Sequence, residues 1–207
     1  MQEIFQSFPE LSDVQRAQFE EMTRLYPKWN EKINVISRKD ISNLCINHIL
    51  HSLAIAKFIR FTPESRILDI GTGGGFPGIP LAVLMPEVKF HLVDRIAKKL
   101  RVASDIAEKI GLTNVTFQHG DIGECHENFD FVVSRAVMPQ PDLLKIVKKN
   151  FSNLQRNAIP NGLITLKGGD IAAELGKLAN VSEVIPVSDY FSQPFFDTKM
   201  IVYTPNI

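Results

Sequence analysis

From Ser65 onward, short apolar runs alternate with amphipathic helical stretches. No other feature constrains the fold of this 207-residue chain so tightly. Candidate strands fall at 66–70, 89–93, 115–118, 129–133 and 162–166. Helical patterns lie between most of them, and one carries Ile96, Leu100, Ala103, Ala107 and Ile110 on a single face. Strands linked through helices pair in parallel, and the helices then cover both faces of the sheet. Two further candidates, 184–188 and 200–203, bring the expectation to a seven-stranded, mostly parallel α/β sheet.

The turn Thr62-Pro63-Glu64-Ser65 marks where this pattern begins. It divides the chain into a helical extension, 1–62, and an α/β domain, 63–207. In the extension, Ser12 and Gln15 have the spacing of a capping box. Val14, Phe19, Met22 and Leu25 then recur at helical spacing. Pro27 is expected to interrupt that helix, with 29–36 resuming a helical pattern. Asp40 is expected to cap a third helix, whose apolar face is Ile41, Leu44, Ile49, Leu53, Ala56 and Ile59. Trp29 reads as core rather than as a platform for a stacked base.

Composition excludes several classes. With 44% hydrophobic and 22% charged residues the chain reads as globular and soluble. No apolar run reaches the roughly 18 residues of a membrane span. The start, Met1-Gln2-Glu3-Ile4-Phe5, lacks the basic-then-apolar order of a secretory signal. Cys45 and Cys125 have no metal-like spacing, so no metal is expected, and lone thiols suit a reducing cytoplasm. Lysine plus arginine and aspartate plus glutamate both number 23. A nucleic-acid partner therefore requires basic charge gathered locally. Arg95, Lys98, Lys99 and Arg101 form one such group, and Lys145, Lys148, Lys149 and Arg156 another. Solvated helix faces are the plain alternative for each.

The segment Leu68-Asp69-Ile70-Gly71-Thr72-Gly73-Gly74-Gly75-Phe76-Pro77-Gly78 follows the first strand and opens a helix. In an open parallel sheet, ligands bind at the carboxyl ends of the strands where strand order switches. Glycine lets the backbone come close to such a ligand. Gly73-x-Gly75-x-x-Gly78 matches the dinucleotide fingerprint as text, but it begins two residues late. The Asp-Ile-Gly-Thr-Gly-Gly-Gly frame, with Asp69 at the strand end, looks like the S-adenosylmethionine motif. A dinucleotide site and an empty glycine turn are the alternatives. Asp94 ends the second strand about 20 residues on, where a carboxylate can take the hydroxyls of a ribose. Capping the next helix is its other reading. Gly120-Asp121-Ile122-Gly123 ends the third strand, where a backbone N–H and the Asp121 carboxylate can read an adenine edge. Asp121 as a simple turn residue is the rival.

Ser134-Arg135-Ala136 ends the fourth strand, where substrate chemistry is often carried in such folds. There is no Asn/Asp-Pro-Pro-aromatic run for an exocyclic amine, no suitably placed cysteine for cytosine C5, and no Lys-Asp-Lys-Glu set for ribose. An acceptor with a free lone pair remains, such as a purine ring nitrogen or a small molecule. Arg135 suits either the cofactor's carboxylate or an RNA phosphate. The carboxylate is favoured, because a cation beside a base that becomes positive opposes the reaction.

Together these residues resemble the RsmG family, also called glucose-inhibited division protein B. The resemblance covers nearly the whole chain. It rests on Trp29-Asn30-x-x-x-Asn34, His48-Ile49-x-x-Ser52, the stretch from Asp69 to Ala82, Val93-Asp94, Lys98-Lys99, Ser134-Arg135-Ala136-Val137 and Leu166-Lys167-Gly168-Gly169. It implies a Rossmann-like class I methyltransferase using S-adenosylmethionine to make 7-methylguanosine in the 530 loop of small-subunit ribosomal RNA. Gly71, Phe76, Ile122, Gly123 and Arg135 map to its cofactor-binding positions. Gly73, Asp94 and Asp121 join them on the chemistry above. Lys98, Lys99 and Lys167 are expected to meet RNA. No catalytic residue is assigned. The expected partner is ribosomal RNA, free or partly assembled, met by a monomer in the cytoplasm with no membrane contact. A methyltransferase of another RNA or small molecule, or a non-catalytic RNA-binding assembly protein, is the alternative. Two positions depart from the family: His51 stands where aspartate is usual, and Arg95 where serine is usual.

Overall fold

The computed structural model describes residues 1–135 and 137–206. Seven strands form one sheet: β1 (Arg66–Ile70), β2 (Lys89–Asp94), β3 (Val115–His119), β4 (Phe131–Arg135), β5 (Gly162–Gly168), β6 (Glu183–Pro186) and β7 (Lys199–Pro205). Their order is β3-β2-β1-β4-β5-β7-β6. β1 to β5 pair in parallel, and β7 runs antiparallel to β5 and β6. The expected mostly parallel sheet is therefore the one that forms. β4 begins later than the apolar run suggests. Phe129 makes only an isolated bridge to Phe151, and Asp130 turns its carboxylate to accept the Arg66 N–H at 2.8 Å. β6 stops at Pro186, and Val187–Asp189 tightens into a 3-10 turn.

The α-helices are α1 (Gln2–Ser7), α2 (Asp13–Asn30), α3 (His51–Phe58), α4 (Gly78–Leu84), α5 (Ala97–Lys109), α6 (Gln140–Val147) and α7 (Ile171–Leu175). Successive strand residues point to opposite faces, which sorts the core. Ile67, Val133, Ile164 and Ile201 share one core with Phe19 and Met22 of α2, Leu53 of α3, Leu81 of α4 and Ile106 of α5. Leu68, Val132 and Leu163 face the other side, against Leu143 and Val147 of α6. The extension thus completes one face of the sheet.

The capping box forms: Ser12 Oγ accepts the Gln15 N–H at 3.3 Å, and Gln15 Oε1 accepts the Ser12 N–H at 2.9 Å. Phe19, Met22 and Leu25 are buried, as their spacing predicts, whereas Val14 in the first turn is exposed. Pro27 does not end the helix, which runs on to Asn30. A proline costs the helix one N–H donor, but buried Leu25 and Tyr26 anchor the flanking turn. Residues 31–36 are not helical. Asn30 organises them instead, accepting the Val35 and Ile36 N–H groups at 2.9 Å each and donating to the Ile36 carbonyl at 2.9 Å.

Side chains of α2 also cap its neighbours. Gln15 donates to the Val83 and Leu84 carbonyls at 2.9 and 3.1 Å, and Gln18 to the Ile110 carbonyl at 2.9 Å. These are carbonyls that helix ends leave unpaired. Trp29 packs against the core and donates its indole N–H to Asp105 at 2.7 Å.

The third helical segment is not uniform. A 3-10 turn, Ile41–Asn43, passes into a π-helical stretch, Leu44–Leu50, and then into α3. Asp40 does not cap it; the carboxylate reaches Asn47 and His48 instead.

Candidate functional site

A cleft of about 340 Å³ opens at the carboxyl ends of β1 to β4. It lies where strand order reverses between β1 and β4, the place where α/β sheets bind ligands. Its size suits a small molecule, whose sites span about 300–1,000 Å³. Gly71, Asp94 and Ile122 line it, together with Ile96, Val137 and Ile146. The last three are among the few large apolar side chains left exposed. Helical spacing predicts Ile96 on the packed face of α5; the structure turns it into the cleft. Three apolar walls with one carboxylate at the edge fit a flat heterocycle carrying a ribose.

The glycine turn forms the floor. Gly71 and Gly73 have φ of +66° and +58°, a region that penalises side chains. A Cβ on Gly71 would come within 2.5 Å of Val137, whereas one on Gly73 would project into open space. Asp69, fully buried below, holds the turn closed. Its Oδ2 accepts the Thr72 hydroxyl at 2.7 Å and the Gly78 N–H at 2.8 Å, while Oδ1 has no partner among the described residues. Burial pushes its carboxyl up to about 7, against those hydrogen bonds and the nearby Arg135 charge.

Asp94 does more than either of its readings requires. Oδ2 accepts the Gly73 N–H at 2.7 Å and Oδ1 the Ile96 N–H at 2.7 Å. It therefore joins the glycine turn to the entry of α5 while facing the cleft. Asp121 caps the 3-10 turn Ile122–Glu124, accepting the Gly123 N–H at 2.6 Å. Its other oxygen pairs with Arg95. The arginine that departs from the family pattern thus spans the rim between β2 and β3. Ile122 lines the cleft from the first position of its turn, where an N–H has no helical partner.

Phe76 and Arg135 do not line this cleft; they pack together beside the glycine turn. The guanidinium sits 5.0 Å from the Phe76 ring centroid. It donates to His48 Nδ1 at 3.0 Å and toward the Asn47 carbonyl at 3.5 Å. Tyr26 packs at a tilt against Phe76, with centroids 4.7 Å apart, and its hydroxyl donates to the Gly74 carbonyl at 2.7 Å. Asp40, Asn47, His48 and Tyr26 thus enter the site from the extension. His48 stands in a recognised motif, but nothing local in sequence says that it meets Arg135. Ser134 donates to the Ile70 carbonyl at 2.8 Å and fixes the end of β4 against β1. Ala136 of the same motif lies outside the described residues.

The expected RNA-facing lysines divide. Lys98 is exposed and Lys99 half-buried near the start of α5, and neither forms an ion pair among the described residues. Lys167 is buried: it pairs with Glu174 at 2.9 Å and donates to the Met138 carbonyl. Its charge is satisfied inside the protein, which does not suit the expected contact with RNA backbone. In the second basic group, Lys149 donates to the Gly123 carbonyl at 2.7 Å and Arg156 faces Asp130 at 3.7 Å.

The fold is similar to a SAM-dependent methyltransferase from Aquifex aeolicus, with a TM-score of 0.57 and 17% identity over 81% of this chain and 97% of that one. It is also similar to a precorrin-6y C5,15-methyltransferase from Geobacter metallireducens, with a TM-score of 0.58 and 14% identity over 84% and 92%. In sequence, the chain is 56% identical to ribosomal RNA small subunit methyltransferase G of Bacteroides thetaiotaomicron across 99% of each chain. The family model described as GidB, rRNA small subunit methyltransferase G, matches residues 15–190. With the cleft, the glycine turn and these matches together, the chain belongs to the rRNA small subunit methyltransferase G family.

Proposed function

We propose that the cleft binds S-adenosylmethionine and that the protein methylates nitrogen 7 of a guanine in the 530 loop of small-subunit ribosomal RNA. The observation that carries the cofactor assignment is Arg135. Its guanidinium is half-buried beside the glycine turn, yet among the described residues it has no ion-pair partner within 4.0 Å. A charge withdrawn from water calls for a counter-ion, and a guanidinium fork matches a carboxylate. The methionyl carboxylate supplies that partner. Burial lowers the Arg135 pKa only to about 10, so it stays charged at neutral pH.

The remaining groups fit the same ligand. Asp94 faces the ribose, the Ile122 N–H and Asp121 face the adenine edge, and Ile96, Val137 and Ile146 sandwich the ring. Gly71 and Gly73 leave the backbone bare where the amino-acid tail passes, and Gly123 shapes the turn that bears Asp121.

When bound, S-adenosylmethionine would supply a sulfonium methyl, and the guanine lone pair would form the C–N bond as the C–S bond breaks, with no proton transfer required. The protein's task is alignment and exclusion of water, which supplies up to about 7–11 kcal/mol in favourable cases. A general base is not required, and the two histidines on this side do not offer one. Burial and Arg135 push His48 down to about 4, and burial pushes His51 to about 3. Lys98 and Lys99 receive RNA phosphates, while Lys167 braces the loop that carries Met138. The partner is ribosomal RNA, free or partly assembled, met by a monomer in the cytoplasm. Mapping 7-methylguanosine in ribosomal RNA from cells with and without the gene tests this reading. One 530-loop modification should vanish on deletion and return with the gene; an unchanged pattern contradicts it.

A further inference from the structure

His48 is where the helical extension touches the end of β4. Its ring nitrogens have different partners: Nδ1 lies 3.0 Å from the Arg135 guanidinium, and Nε2 lies 3.0 Å from Asp40 Oδ2. A guanidinium only donates, so Nδ1 must accept. The proton then resides on Nε2 and is donated to Asp40. Asn47 donates to the other Asp40 oxygen at 2.6 Å and orients the carboxylate. The π-helical stretch Leu44–Leu50 contains both Asn47 and His48. Such wide turns are rare and recur at functional sites. The His48 ring also packs on Phe76, 5.4 Å between centroids, so imidazole and guanidinium share one aromatic support.

We propose that Asp40 and His48 are positioning residues that hold the Arg135 guanidinium ready for the cofactor's carboxylate. The inference rests on the carboxylate role of Arg135 proposed above. Of the five guanidinium N–H donors, the contacts to His48 and Asn47 are those made among the described residues, and the proposal assigns the others to the ligand. Ordering a long side chain before the ligand arrives removes part of the entropic cost of binding. The same geometry argues against His48 as a base, because its only unprotonated nitrogen is turned onto a cation.

The test compares two ligands on the full chain by calorimetry. S-adenosylhomocysteine carries the amino-acid carboxylate, and 5′-methylthioadenosine lacks the whole tail. His48→Phe keeps the ring shape without the acceptor. It should lose about 10-fold in affinity for S-adenosylhomocysteine, about one charge-assisted hydrogen bond's worth, and bind methylthioadenosine as the native protein does. His48→Asn, which can place an amide oxygen near the Nδ1 position, should recover part of the loss. Arg135→Gln should lose at least as much for the first ligand only, and adding His48→Phe to it should cost nothing further. Native affinity in His48→Phe, alongside a selective loss in Arg135→Gln, overturns the positioning role and leaves the carboxylate reading intact. No loss in Arg135→Gln overturns both. Equal weakening of both ligands by His48→Phe shows a merely structural residue and also overturns the proposal. If His48→Phe does not fold, Asp40→Asn at the partly exposed end of the chain of contacts is read by the same criteria.

Discussion

Asp94 spends both carboxylate oxygens on backbone N–H groups, at Gly73 and Ile96, and still faces the cleft. On the proposed function, its removal strips a contact to the ribose and loosens the glycine turn together. Loss of charge-assisted hydrogen bonds worth about 1.5–3 kcal/mol corresponds to a roughly 10- to 150-fold loss in affinity. Asp94→Ala should bind S-adenosylmethionine that much more weakly in calorimetry while circular dichroism shows a native fold. A folded variant with native affinity removes Asp94 from the site. At this scale, residues whose role depends on strand position are legible in the sequence. Asp94 and Ile122 sit where the strand ends put them. Residues whose role depends on a distant partner are not. Lys167 and Glu174 meet across the end of β5, and nothing in Leu166-Lys167-Gly168 foretells that the ammonium turns inward.

The strands are legible because burial on both faces demands short apolar runs, and a parallel crossover demands a helix between them. The third helical segment is legible as apolar but not as π-helical. The five-residue step from Leu44 to Ile49 overshoots an α-helical turn and suits the wider π turn, but a single such step does not set it apart from an ordinary apolar helix in sequence. Pro27 misleads for a related reason, since tertiary packing overrides the local cost of a proline. The start of α5 presents Lys98 and Lys99 on a chain of zero net charge. Every phosphate that goes unneutralised should lower the slope of log affinity against log salt by about 0.7–0.9. Lys98→Glu with Lys99→Glu should thus flatten the salt dependence of RNA binding and leave cofactor affinity unchanged. An unaltered slope assigns these lysines to solvent.

Across the whole molecule, the helical extension and the sheet share one core, and two neutral histidines lie at their seam. His48 and His51 are held at about 4 and about 3, below the ordinary histidine value of about 6.5. The unfolded chain therefore binds protons that the folded protein refuses, and stability falls as pH drops from about 6.5 toward 3–4. Each such group contributes about 1.4 kcal/mol per pH unit in that window. Asp69 acts in the opposite sense. Its raised value of about 7 favours the folded state below the ordinary carboxyl range, and that advantage is lost as pH rises through 7. It offsets about one histidine between the ordinary carboxyl range and pH 6.5. Urea unfolding at pH 7, 5.5 and 4.5 should show a net decline, and His51→Gln should make it shallower. Constant stability across that range contradicts the burial of neutral imidazoles. The same neutrality bears on catalysis: neither histidine titrates near pH 7, and Asp69 is turned onto Thr72 and Gly78 beneath the glycine turn, so the acceptor must carry its own lone pair. The most direct measurement is single-turnover methylation, with S-adenosylmethionine saturating, of a 530-loop RNA carrying either guanine or 7-deazaguanine at the target. The deaza RNA should bind normally and stay unmethylated, and the guanine RNA should react at a rate that changes little between about pH 6 and 8.5. Methylation of the deaza RNA at a normal rate would place attack at another atom and contradict the account.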